Sequence, residues 1–440
     1  MKKQLLQIVF AGFAFLLLFA ICGCKKNQDT VYDPFNTGSG TRNLIVVISD
    51  IHLGADLSYA ECNANVGPLA GLLEKIRSSQ NVKELVIAGD LVDEWFVPAT
   101  TDTYQGKDQA DFVDRVAATN KAVFDQLRAI IMDGIIKVTY VPGNHDLTVT
   151  NDNIERILPG VNQSRDAGTL GLGTYSPDNY PHIAIEHGHR YNLFCAPDPI
   201  SNQAVAPGTI LPPGYFYTRI AALHVVQNDT VLTDTIPVVT PNQSGGASQQ
   251  LLYNYWQFWN SSLTAFPIRN LFNEKMIVTN VNGFAGNFSV NDVLPYQATP
   301  GSTIAVNLFD GVQDSWPQRC VLNHVPVPIP TEYTMVNASS NTAIDTMAYL
   351  QYFMNTLSDT RLVVFGHTHV PLVKTWVNHS GLKSVYVNSG TWIDSNPKLT
   401  TMNFVIITPQ NNDAASQTWV TLFNFQGGTF NEMNKESLRF

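Results

Sequence analysis

The feature that most constrains this chain is a set of five short polar motifs, nearly all placed where a hydrophobic run ends. Asp50 and His52 close Leu44-Ile45-Val46-Val47-Ile48, and Gly89-Asp90 closes Leu85-Val86-Ile87-Ala88. Gly143-Asn144-His145-Asp146 follows the run from Ile135 to Val141, and His187-Gly188-His189 follows Ile183-Ala184-Ile185. Gly366-His367-Thr368-His369 closes Leu362-Val363-Val364-Phe365. Asp, His and Asn are oxygen and nitrogen donors that suit divalent transition metals. In open α/β sheets, ligands bind beyond the carboxyl ends of the strands. Motifs at five strand ends can therefore converge on one site although the chain spreads them widely.

The runs themselves predict a mixed fold. Leu44 to Ser49, Glu84 to Ala88 and Ile136 to Val141 read as short, aliphatic, buried strands. Val66, Leu69, Ala70, Leu73 and Ile76 fall at helical spacing, which predicts a helix over 64–78. A similar pattern from Phe112 to Ile131 predicts one helix over 108–132. This β-α-β-α-β order implies crossovers and strands covered on both faces. A short helix is expected over Asn151 to Leu158 and a strand over His182 to Glu186. Residues 194–345 break the pattern, with much Pro, Asn, Gln and aromatic content, and read as an insertion over the site. Within it, Tyr217 to Val226 and Gln249 to Leu263 are expected to be helical, and a helix over Thr342 to Leu357 is expected to lead back to the core. Strands follow at Leu362 to Phe365, Leu372 to Val377, Ser384 to Val387, Met402 to Ile407 and Thr418 to Phe423. Several strands in succession after a helical half fit an α/β sandwich of two sheets flanked by helices. The core is then 43–193 and 346–440. The insertion's Tyr215, Phe216, Tyr217, Trp256 and Trp259 either wall a pocket or form its own core.

The N-terminus reads as a targeting segment. Lys2 and Lys3 precede an apolar run from Ile8 to Ile21, too short to span a bilayer and suited to a signal peptide over 1–23. Ile21-Cys22-Gly23-Cys24 resembles the bacterial lipobox, which implies a lipid anchor on Cys24 and an exported, membrane-anchored lipoprotein of the bacterial envelope. Residues 24–42 are polar and read as a tether. Cys62, Cys195 and Cys320 fit no zinc motif; one disulfide or isolated thiols are both open. The formal net charge of −10 becomes −12 without residues 1–23. That balance argues against a nucleic-acid polymer as partner, which would call for a basic face.

Two divalent ions are the economical explanation of the motifs. Asp90 can bridge them through its two carboxylate oxygens. Asp50 and His52 share a turn, as do His367 and His369, and Asn144 adds an uncharged oxygen. Two carboxylates and a hydroxide facing two divalent ions leave a charge of about +1, which attracts a phosphate group. Manganese, iron and zinc all accept this donor set.

Together the five blocks, in this order, resemble the calcineurin-like metallophosphoesterases over residues 43–192 and 360–408. The resemblance implies an αββα sandwich and a dinuclear site. Asp50, His52, Asp90 and His369 would hold one metal, and Asp90, Asn144, His187 and His367 the other. His145 would sit over the phosphate and protonate the leaving oxygen, with Asp146 orienting its ring. A metal-bound hydroxide would attack a phosphodiester or phosphomonoester. His189 is either substrate-facing or structural. His182, His224, His324 and His379 are expected to be non-ligands, and Arg190, Tyr191 and Arg219 structural. Purple acid phosphatases carry a tyrosine where this chain has Asp93, so an iron–tyrosinate centre is not expected. Ser49 to Gly54 resembles the UDP-2,3-diacylglucosamine diphosphatases, which leaves a lipid-headgroup diphosphatase as an alternative. A surface lipoprotein that binds a ligand without turnover is another.

Overall fold

A computed structural model describes residues 32–168, 171–228, 231–397, 399–410 and 416–440. The expected signal segment, Cys24 and the first part of the expected tether lie outside the described residues. No helix among the described residues is long and apolar enough to cross a membrane.

The first part of the chain runs β1 (Leu44–Ile48), α1 (Val66–Ser78), β2 (Val82–Ala88), α2 (Gln109–Thr119), α3 (Lys121–Asp133), β3 (Lys137–Val141), α4 (Asn151–Ile157), β4 (Asn162–Gln163), β5 (Thr174–Tyr175) and β6 (Ile183–Glu186). The insertion adds α5 (Pro213–Gln227), α6 (Gly246–Ala265), β7 (Ile277–Thr279), β8 (Gly286–Phe288), α7 (Val290–Val293), β9 (Tyr296–Gln297), β10 (Ile304–Ala305), α8 (Val312–Leu322) and α9 (Thr331–Val336). After α10 (Asn341–Ala348) come β11 (Leu362–Phe365), β12 (Leu372–Val377), β13 (Lys383–Asn388), β14 (Asn403–Thr408), β15 (Thr418–Gln426) and β16 (Thr429–Leu438).

Among the described residues, one sheet has the order β16-β15-β14-β1-β2-β3-β4 and a second the order β12-β13-β11-β6-β5. β1, β2 and β3 are parallel in the first, and β6, β11 and β13 in the second. Each of these strands alternates between two dry faces. Ile45, Val47, Val86 and Ala88 pack between the sheets against Ile185, Leu362 and Val364. Leu44, Val46, Ile48, Leu85 and Ile87 join the outer core that includes Leu69, Leu72, Leu73 and Ile76 of α1. Burial on both faces is why the strands read as continuous apolar runs. The architecture is an α/β sandwich of two sheets with helices outside, and it brings the carboxyl ends of both parallel sets together.

Four local differences from the sequence reading have physical causes. The helix expected over 108–132 is two helices broken at Asn120, whose buried amide donates to Gly54 O at 2.9 Å and to Val116 O at 2.9 Å. The helix expected to reach Leu357 ends as a wide turn at Tyr349–Phe353, where Gln351 pairs with the backbone of Val327. β16 is mostly exposed and polar, so it shows no apolar alternation; Gly427 and Gly428, both at positive φ, make the hairpin that places it. The expected tether is docked from Asp33 onward. Phe35 is fully buried against Phe404 and Phe430, and Asn81 holds the backbone of Thr37 and Thr41. Cys62, Cys195 and Cys320 are free thiols.

Candidate metal centre

The turns that follow the strands carry unusual backbone. Asp50, His52, Asp90, His367 and His369 have φ of 51°, 54°, 54°, 69° and 58°, the left-handed region. Such a conformation costs a non-glycine residue on the order of 1–2 kcal/mol and clusters at functional sites. Here the turns are locked to one another. Ile51 N and His52 N both donate to Asp90 O at 2.9 Å, and Asp50 N donates to Gly89 O at 3.1 Å. The glycines of the motifs provide clearance. A Cβ on Gly143 would overlap the Asp90 carboxylate, one on Gly366 the Asp50 carboxylate, and one on Gly89 the His187 ring.

Seven expected ligands meet at this end of the sandwich. Ligand atoms of Asp50, His52 and His369 lie within 4.8 Å of one another, as do those of Asp50, Asp90 and His187. His369 Nε2 is 3.2 Å from Asp50 Oδ1 and 3.1 Å from His52 Nε2. Asp90 Oδ2 is 3.6 Å from His52 Nε2 and 3.1 Å from His187 Nε2, the span that a bridging carboxylate would take. Asn144 Oδ1 is 3.1 Å from His187 Nε2. The His367 ring lies 5.2 Å from that of His187, and its backbone N–H donates to Asp50 at 2.9 Å.

The donor chemistry fits metal ions. His52 Nδ1 faces Asp93 Oδ2 at 2.9 Å, and His187 Nδ1 faces Ala88 O at 2.9 Å. A proton on each Nδ1 satisfies those contacts and turns the Nε2 lone pairs toward Asp90, Asn144 and His369. Lone pairs facing lone pairs call for a cation between them. The electrostatics give the same answer. Burial opposes charge on His187, but Asp90 and Asp50 outweigh it and push its pKa up to about 9. Burial would likewise raise Asp90, yet His187 and His145 hold it well below the usual range. A divalent ion answers the same demand for positive charge. Burial, reinforced by His187, pushes His367 down to about 3, so it stands neutral, the form that ligates.

The contact expected between Asp146 and His145 is not what the structure shows. Asp146 instead accepts from Gly143 N at 2.7 Å and Leu91 N at 2.8 Å, tying the turn after β3 to the turn after β2. It is Asp93 that faces His145, with Nδ1 2.8 Å from Oδ1. That N–H is not aimed straight at the oxygen, so the contact is an ion pair rather than a well-formed hydrogen bond. Asp93 also accepts from Trp95 N and Phe96 N, at 2.8 and 2.7 Å, and so fixes both His52 and His145. Burial alone would raise its carboxyl, but the two rings hold it below the usual range. Burial lowers and Asp93 raises His145, with a net upward shift that favours its imidazolium. The sequence signal for Asp93 is a carboxylate in the otherwise apolar Leu91-Val92-Asp93 stretch, three residues after Asp90.

Residues 44–207 match the sequence model of one family, described as calcineurin-like phosphoesterase. Over this segment the chain is similar to the calcineurin-like phosphoesterases. The matched segment carries four of the five motifs, and β11 supplies the fifth from beyond it. No curated protein matches the chain.

The remaining candidates are structural in their contacts. Buried His189 has Nε2 2.8 Å from Gly171 O, and burial pushes it well below its usual range. Arg190 pairs with Asp166 and Glu186, Tyr191 donates to Glu186 at 2.6 Å, and Arg219 donates to main-chain carbonyls. His182, His224 and His379 face carbonyl oxygens, and His324 lies 3.6 Å from Asp166, none in the metal cluster. Of the insertion's aromatics, Tyr215, Phe216 and Trp259 are core residues, and Trp256 donates to Pro237 O at 2.8 Å. Tyr217 alone of the five lines the cavity beside the centre.

Asp93→Asn should lower metal affinity or turnover about 10–100-fold, the usual effect of losing a ligand's supporting carboxylate. Metal titration and steady-state kinetics would read it; wild-type values for both would remove Asp93 from the site. Next to it, burial pushes Glu94 up to about 7 despite donors from Thr148, Tyr104 and Gln109. The folded chain thus keeps a proton that the unfolded chain releases near the ordinary value of 4.5. Stability from this group is complete below that value and is lost as pH rises through about 7. Melting temperatures of wild type and Glu94→Gln should therefore diverge in slope across this window, the wild type falling more steeply. Parallel profiles would show that Glu94 is not a titrating group of the fold.

Proposed function

We propose that this chain is a phosphoesterase with two divalent metals, manganese, iron or zinc, exported and held at a membrane by a lipid on Cys24. The observation that carries the reading is the set of lone pairs from Asp50, His52, Asp90, Asn144 and His187, all buried, and from half-buried His369, turned on one another beside His145. When bound, two divalent ions supply Lewis acidity and an activated water there. Asp50 and Asp90 would balance half of the ions' charge and leave the centre attractive to a phosphoryl group. His145 lines the cavity, and Asp93 favours its charged form. Its proton is thus available to the oxygen that leaves phosphorus, whether the substrate is a diester or a monoester. Trp95, with its ring 5.0 Å from that of His145 and inclined to it by 30°, limits where the imidazole can move.

Hydrolysis of bis(p-nitrophenyl) phosphate by the Mn²⁺-loaded chain tests the reading. Activity should fall about a hundredfold or more in Asp90→Asn. Two bound metals with no turnover of diesters or monoesters would turn the reading toward a binding lipoprotein. The anchor has its own test. Cys24→Ser should move the chain from the membrane fraction to the soluble fraction; unchanged partition would exclude lipidation as the attachment.

A further inference from the structure

We propose that the cavity beside the metal centre binds an uncharged, hydroxyl-bearing ring carried by the phosphate ester. This rests on the phosphoesterase reading and names the substrate class for it. The cavity measures about 570 Å³ and runs from Asp90, Asn144 and His145 out to α6 and α9 of the insertion. That size suits a small molecule of roughly one or two rings.

α6 presents two faces. Leu252, Tyr255, Trp259 and Leu263 are buried at helical spacing in the insertion's core. Asn254, Gln257, Phe258 and Ser261 line the cavity from the other face. Phe258 stacks on Phe194 with centroids 3.7 Å apart, and Tyr217 meets Phe258 at 5.8 Å. Beyond the centre the wall therefore combines aromatic rings with amides and hydroxyls.

Charge narrows the occupant. Among the described residues lining the cavity there is no lysine or arginine, and no carboxylate except Asp90. Away from the metal centre and His145, a second phosphate or a carboxylate on the substrate would lose water and find no cation. This counts against a nucleotide-diphosphate lipid. A plain acyl chain would match the aromatic rings but make no use of the Asn254 and Gln257 amides or the Ser261 hydroxyl. A neutral ring satisfies both halves of the wall, its face against the aromatics and its hydroxyl or amide edge toward the polar side chains. Sugars and nucleosides share that chemistry.

The test compares the full Mn²⁺-loaded chain on methyl p-nitrophenyl phosphate, thymidine 5′-(p-nitrophenyl phosphate), the 3′-phosphorylated form of that thymidine ester, and the p-nitrophenyl diester of glucose 6-phosphate. Calorimetric titration with thymidine and with methyl glucoside accompanies it. At least one ring ester should exceed the methyl ester in kcat/KM by about tenfold or more, and which one does identifies the source of the ring. The added 3′-phosphate should cost about tenfold, and Gln257→Arg should shrink that penalty to about threefold or less. Equal rates on methyl and ring esters, or no penalty for the extra phosphate, would overturn the inference and leave the phosphoesterase reading standing. Binding of thymidine or methyl glucoside with no ester cleaved would support the pocket and sink the phosphoesterase reading. Absence of both would overturn each.

Discussion

The structure depends on two sets of parallel strands ending at the same place with their backbones bent into the left-handed region. Five of the seven metal-ligand candidates hold that conformation: Asp50, His52, Asp90, His367 and His369. The strain is carried by the rest of the fold, through β1 and β2 in register, backbone bonds between their turns, and dry packing on both faces of each sheet. Summed over five residues the penalty is on the order of 5–10 kcal/mol. That is comparable to the net stability of a domain, so the centre can exist only where extensive burial offsets it.

The motif glycines follow from the same constraint. Strands that converge bring carboxylates and rings within contact of neighbouring backbones. At Gly89, Gly143 and Gly366 a side chain would occupy the space of His187, Asp90 and Asp50 respectively. The Gly-Asp, Gly-Asn and Gly-His pairs in the sequence are thus records of close approach between two turns, not only of chain flexibility.

What was legible in the sequence was what hydrophobic runs report. Strands buried on both faces stand out as apolar, and polar residues at their ends stand out against them, so β1, β2, β3, β6 and β11 and the ligand candidates could be read directly. Features set by side chains reaching across the fold could not. Asp146 follows His145 in sequence, yet its carboxylate turns back to two amides, while Asp93 arrives from another turn to meet the ring. Asn120 breaks a helix because Gly54 O lies opposite it, a contact 66 residues away in the chain. β16 is an exposed edge strand, and polar edges are protected from pairing by the same composition that hides them from a pattern search.

The insertion is wired to the turn that carries Trp95 rather than laid over it. Arg219 of α5 is fully buried, and its guanidinium donates to the carbonyls of Val97, Pro98, Ala99, Thr101 and Val278, and to the Tyr215 hydroxyl at 2.6 Å. A buried cation is tolerated only when its donors are satisfied, and here four of the six acceptors come from the segment just after Trp95. Trp95 lies against His145, and its ring meets Tyr215 at 6.2 Å. A displacement of α5 would therefore pass through one guanidinium and one indole to the imidazole. The element that shapes the cavity and His145 are thus joined through hydrogen bonds on one side of Trp95 and ring contacts on the other. Specificity and turnover in this chain should accordingly change together when the insertion is altered.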